Sequence, residues 1–249
     1  MGKYMTLAII VLVVLSFAAC SNRAIVLGTP KIFDVPSEIH SLDIQIKAAD
    51  FTIVRSDHFC VESNLKNLTV SEKNGVLMIE EKSKVSTNYA DAMLTLYVPA
   101  NISFEEIKIK TGAARLVADP LSANSLILKL GAGQVQFDSL SASSSIDIEG
   151  GAGEITIADG TLHNMKLSLG VGQFEMTAAL LGKSDLQFGI GETKLTLIGS
   201  PAEYNLDVTK GIGSIKIDNS TGINYSSGNA QNRVKIQGGI GAANITFQE

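Results

Sequence analysis

Ile146-Asp147-Ile148-Glu149-Gly150-Gly151-Ala152-Gly153-Glu154-Ile155-Thr156-Ile157 alternates apolar and polar residues up to a Gly-x-Gly and alternates again after it. A two-residue period belongs to a strand with one buried face, because successive side chains leave a strand on opposite sides. The stretch is one of a series. Its corner glycine recurs at Gly112, Gly131, Gly151, Gly170, Gly189, Gly211 and Gly239, in steps of 19, 20, 19, 19, 22 and 28 residues. A second glycine follows two places on at Gly133, Gly153, Gly172, Gly191, Gly213 and Gly241, whereas the first repeat has Ala114 there. Three residues before each corner stand Ile109, Leu128, Ile148, Leu167, Leu186, Val208 and Ile236. Six residues after it stand Ala118, Phe137, Ile157, Met176, Leu195, Ile217 and Ile245.

Each repeat therefore reads as strand, glycine corner, strand and return loop. A sharp change of direction calls for positive φ or close backbone approach, and glycine permits both. The residue between the glycines (Ala132, Ala152, Val171, Ile190, Ile212, Ile240) is small or aliphatic and is expected to plug the corner from inside. One repeat cannot bury its apolar face alone, but stacking joins the faces into one core. Residues 107–249 are thus expected to form an all-β, parallel β-helix-like solenoid of about seven coils of 19–28 residues.

The preceding segment, 42–106, is less regular. Ile44 to Val54 aligns with Ile107 to Val117 as a degenerate coil. Leu68-Thr69-Val70 and Val76-Leu77-Met78-Ile79 flank Asn74-Gly75, a hairpin signal. Met93 to Val98 is a further strand, stopped by Pro99. Three motifs, Leu94-Thr95-Leu96-Tyr97-Val98-Pro99, Ile107-Lys108-Ile109-Lys110-Thr111-Gly112 and the repeated Leu-x-Leu-Gly-x-Gly units, carry a family resemblance. The chain resembles the toast-rack, adhesin-like β-strand-repeat domains of bacterial envelope proteins, with head-GIN adhesin-like domains as a second match. That resemblance covers nearly all of the mature chain and implies an envelope protein, with motifs that define no active site. Many relatives carry Asp or Asn in the corner, where this chain has Gly-x-Gly.

The net charge of −5 disfavours nucleic acid as a partner. Lys3 precedes an apolar run from Leu7 to Ala19, shorter than the ~20 residues that span hydrocarbon. Residues 1–19 therefore read as a signal peptide and 20–41 as a tether and entry segment. Phe17-Ala18-Ala19-Cys20 resembles a lipobox, with Phe17 where Leu is usual. Cys20 is the expected lipidation site, through which the protein would be held at a membrane without spanning it. The remaining cysteine, Cys60, has no partner for a disulfide in that case.

Candidate chemistry is sparse. Gly150-Gly151-Ala152-Gly153-Glu154 lacks the nine-residue period of a calcium-binding roll, and seven such corners between strands are architecture rather than a phosphate loop. Asp119, Asp138, Asp159 and Asp218 near the strand ends read as Asx-turn residues, each bonding its own following amides. His40, His58 and His163 have no zinc spacing. His58 and Cys60 share a strand face, but with Phe59 and Val61 inward they read as a surface pair rather than a nucleophile and base. No catalytic residue, metal site or cofactor is expected. The insertion at 219–233 is expected to recognise a partner or to cover the open edge left by the final coil, Val234 to Phe247, failing which that edge pairs with another chain. The composite reading is a non-catalytic, membrane-anchored extracytoplasmic module with an unknown protein or glycan partner. A carbohydrate-active β-helix enzyme and an envelope-stress sensor are the alternatives.

Overall fold

The computed structural model describes residues 27–36, 38–82, 91–209, 211–218, 220, 221, 224–227 and 230–249. They form an all-β chain in a single large, mostly parallel sheet. The lipidation candidate Cys20 and residues 219, 222, 223, 228 and 229 of the insertion lie outside the described residues.

Layers of strand stack in register through the middle of the chain. Phe104–Ala118 pairs with Leu121–Phe137, which pairs with Leu140–Ile157, which pairs with Met165–Leu181, all in parallel. Ile109, Leu128, Ile148 and Leu167 fall opposite one another and are buried, as are Ala118, Phe137, Ile157 and Met176. The segment expected to be a return loop is itself partly strand. Leu121, Leu140 and Gly160 stack, as do Ala123, Ala142 and Leu162.

The first parallel partner of Phe104–Ala118 is supplied by Ser41–Ile46 and Asp50–Ser56, the segment that the sequence aligns with it. Its register differs from the sequence alignment by two residues, because Ile44 faces Ile109 and not Ile107. A slip of two keeps every side chain on its original face, so the apolar pattern did not fix the register. Val76–Glu81 and Met93–Pro99 form one more layer on the far side of that segment. Leu68–Lys73 folds back on Val76–Glu81 as a hairpin through Asn74 and Gly75, both at positive φ. Cys60–Ser63 pairs antiparallel with Met93–Pro99, and Lys31–Asp34 with Cys60–Ser63.

At the other end the stacking order departs from the sequence order. Lys183–Gln187 and Ile190–Ile198 are followed not by Tyr204–Thr209 and Ile212–Ile217 but by the last strands, Asn232–Gln237 and Ile240–Gln248. Tyr204–Thr209 and Ile212–Ile217 lie outside those. The final coil therefore has a neighbour on both sides and leaves no open edge, contrary to the sequence expectation. The edge belongs to the layer 204–217. Asn224–Ser227 and Ser220–Thr221, both within the insertion, pair antiparallel with it.

The outward charges favour this order. One outward column reads Asp147, Lys166, Asp185, Lys235, Asp207 in stacking order, with signs alternating. Sequence order would set Asp185 beside Asp207. A second column reads Glu175, Lys194, Asn244, Lys216, and sequence order would set Lys194 beside Lys216. Like charges directly opposite each other are destabilising, so both columns favour the observed order. Tyr204 pins the outer layer: it is buried, its hydroxyl donates to the Ile198 carbonyl at 2.5 Å, and its ring packs on Phe247 at 5.9 Å.

One apolar core runs the whole length, from Ile39 to Ile245. Where a layer lacks a stacked corner, a side chain replaces it. Glu81 is buried, and its Oε2 accepts from the backbone amides of Lys47 at 2.8 Å and Ala48 at 3.2 Å. Removing that acceptor strands two amides. Glu81→Ala is expected to cost about 2 kcal/mol in urea melts, and Glu81→Gln, which keeps one carbonyl oxygen, less than half as much. Equal losses for the two variants would show that the acceptor oxygen is not what matters.

Candidate binding surface

The glycine corners fix the shape of the outer surface. Gly133, Gly153, Gly172, Gly191, Gly213 and Gly241 all have φ between 133° and 146°. A Cβ on Gly153 would stand 1.9 Å from the carbonyl oxygen of Gly133 in the layer below. The first glycine of each corner is crowded in the same way, with a Cβ on Gly151 meeting Gly131 O at 2.3 Å. These glycines therefore stack as two close columns of bare backbone.

The residue between them does not plug the corner. Ala132 and Ala152 are exposed, and Val171, Ile190, Ile240 and Ile212 are 54%, 50%, 48% and 72% exposed. The burial phase explains the correction. Inward positions are Leu126, Leu128 and Leu130 before the corner but Val135 and Phe137 after it, so the corner absorbs a one-residue shift in parity and points its own side chain outward.

Beside this ridge lies a depression of about 430 Å³, bordered by Gln173, Glu175, Glu192, Lys194, Lys216 and Asn244. Its charges are partly engaged. Lys194 Nζ donates to Glu175 at 2.5 Å, and Gln134 Nε2 donates to the neighbouring Glu154 at 3.1 Å. The polar columns repeat at the layer spacing, about 4.8 Å, so the surface offers a regular ladder of hydrogen-bonding groups rather than one converging centre. Strand alternation alone turns these residues outward and does not group them. Their grouping depends on Asn244 and Ala242 sliding between the layers of Glu192 and Ser214, which the stacking order alone reveals.

The other candidates are dispersed. His58 Nδ1 meets Asp57 Oδ1 at 2.5 Å, and the imidazole holds the Asp57 carboxyl below its ordinary range. Burial raises the Cys60 thiol, with further upward pushes from Asp34 and Glu62, which leaves less of the nucleophilic thiolate. His40 is paired with Glu105. Among the described residues no three His, Cys, Asp or Glu side chains converge as a metal site. Three of the four strand-end aspartates bond across layers. Asp119 accepts from Arg55 N at 2.7 Å, Asp159 from Ser139 Oγ at 3.2 Å, and Asp218 from Phe247 N at 3.3 Å.

A parallel ladder of repeated strand–corner–strand layers defines a class of all-β repeat domain. The Toastrack DUF4097 family matches residues 35–246, and the chain belongs to that family. Its fold is similar to that of a Bacteroides fragilis protein described as a putative adhesin, at 13% identity over 92% of this chain and 100% of the other, with a TM-score of 0.54. A Clostridium sporogenes protein described as a putative cell adhesion protein matches at 16% identity over 88% and 99% of the two chains (TM-score 0.40). A Parabacteroides distasonis protein described as a putative adhesin matches at 17% over 87% and 96% (TM-score 0.42). No curated protein matches the chain.

Proposed function

We propose that the layers are the coils of a β-solenoid and that the protein is a non-catalytic, adhesin-like interaction module outside the cytoplasm, held to a membrane by lipid on Cys20. The observation that carries the interaction reading is the depression beside the corner ridge, where polar ladders offer donors and acceptors over several layers. Such a face suits an extended ligand, a glycan strand or an extended polypeptide, because each added unit meets the same chemistry one layer on. The description of the Bacteroides fragilis protein as a putative adhesin agrees with that role.

Two measurements test it. The amino-terminal peptide of the exported protein is expected to begin at a diacylated Cys20, and Cys20→Ser to move the protein from the membrane to the soluble fraction. An unmodified start at Ala19 or Cys20 would overturn the anchor. Binding of the soluble Cys20→Ser protein to immobilised envelope glycans and proteins is expected to fall at least tenfold on Gln173→Lys with Ser214→Lys, at unchanged melting temperature. Binding indifferent to that pair removes the depression from the function.

A further inference from the structure

The corner side chains form a graded row. In stacking order the residues are Ala113, Ala132, Ala152, Val171, Ile190, Ile240 and Ile212, each in register with the next. All are exposed. The row is small at one end, bulky at the other, and Val171 stands at its midpoint. Columns of glycine, broken only by Ala114, flank it on both sides, so the alanine half lies low beside bare backbone, and the isoleucine half stands proud.

We propose that this corner is the interface of a twofold dimer of the chain. A twofold axis through Val171, perpendicular to the stack, sets the two rows antiparallel. Ile190 then meets Ala152 of the second copy, Ile240 meets Ala132, and Ile212 meets Ala113. Large faces small at each of these steps, Val171 meets its own counterpart at the axis, and the steps coincide because both rows share the spacing of about 4.8 Å. This is the self-complementarity that a closed, isologous contact demands, in which each residue meets its counterpart's partner in both directions. A row with uniform side chains would not select a partner of this kind.

The neighbouring columns fit the same arrangement. On one flank Lys129 comes opposite Gln237 of the second copy and Glu149 opposite Gln187. On the other, Arg115 comes opposite Ser214 and Gln134 opposite Ala242. Glu154 opposite Glu192 is a like-charge meeting. The row spans six steps, about 29 Å, and is one side chain wide, so it buries less than the ~800 Å² per partner of a standard interface. The dimer is accordingly a weak one, and its detection needs high protein concentration. The inference does not rest on the polar depression or on the lipid anchor.

The test is sedimentation velocity of the full exported chain carrying Cys20→Ser, at concentrations up to about 1 mM, the upper range for weak complexes. A monomer–dimer equilibrium is expected. Ile190→Ala and Ala152→Ile, each alone, are expected to weaken it about tenfold, the first by lost burial and the second by collision. The double variant Ile190→Ala with Ala152→Ile exchanges the two sides of one contact and is expected to return to within about threefold of wild type. Both positions are exposed, so melting temperatures should hold; Ile240→Ala with Ala132→Ile repeats the test should either variant fold poorly. Glu192→Gln is expected to tighten the dimer. A monomer at every concentration, or assembly beyond a dimer, overturns the proposal. So does a double variant as weak as the two losses combined. Strengthening by Ala152→Ile also overturns it, and flotation with phosphatidylcholine vesicles would then show whether the row adsorbs to lipid.

Discussion

Gly153→Val is expected to lower stability by about 3–5 kcal/mol. The backbone at Gly153 holds φ at 139°, a region that L residues rarely adopt, and a Cβ there would overlap the carbonyl oxygen of Gly133. Relief requires either a flipped corner or a wider gap between layers, and a wider gap breaks the ladder that pairs Leu140–Ile157 with Leu121–Phe137. For a chain of this size the loss corresponds to a melting point lower by about 10 °C or more. Ala132→Gly, at an exposed site in an intact corner, and Gln136→Ser, on the outer face, are expected to shift it by little. A Gly153→Val protein that melts with wild type would show that the corner can reorganise freely.

Ile148→Asp is expected to cost about 4–5 kcal/mol at neutral pH. Ile148 is fully buried between Leu128 and Leu167, and no donor or cation lies in that column. A carboxyl placed there has its folded-state pKa raised by desolvation above the ~3.9 of the unfolded chain. The folded state then binds the proton more tightly than the unfolded one. The charge penalty is therefore absent below about pH 4 and grows as pH rises towards the folded pKa. Melts should recover part of the loss between pH 7 and pH 4, whereas Ile148→Asn should show no such recovery. A pH-independent Ile148→Asp would place the side chain in water and reverse the assignment of faces.

The inner layers were legible because their determinants are local. Alternation names the buried face, and Gly-x-Gly at a step of 19 or 20 residues marks the corner. The stacking order at the ends was not legible from periodicity, since every coil carries the same apolar code and any coil can stack on any other. The discriminating signal was charge, in Asp185, Asp207 and Lys235, and it becomes readable only once columns rather than strands are compared. The outward isoleucines were misread for a related reason. Ile190 between two glycines looks like core by hydrophobicity, and only the parity change from Leu186 to Leu195 shows that the corner turns it out. The third strand had a weak sign in the repeated Leu-Ser-Ala at 121–123 and 140–142. The polar depression had none, because its members come from layers whose order the sequence does not state.

The interleaved ends also set how the molecule bears load. The last strand is bonded along both sides over Ile240–Ile245, to Ile190–Leu195 and to Ile212–Ile217, and its Thr246–Gln248 end to Thr196–Ile198 alone. Ser41–Ile46, the first strand of the parallel stack, is likewise held between Val76–Glu81 and Phe104–Ala118. A pull on either end of the stack cannot unzip one ladder bond by bond from a free margin. It has to draw a strand lengthwise from between two neighbours, breaking both rows of hydrogen bonds together. Tension at the carboxyl end thus meets resistance in shear rather than in peel.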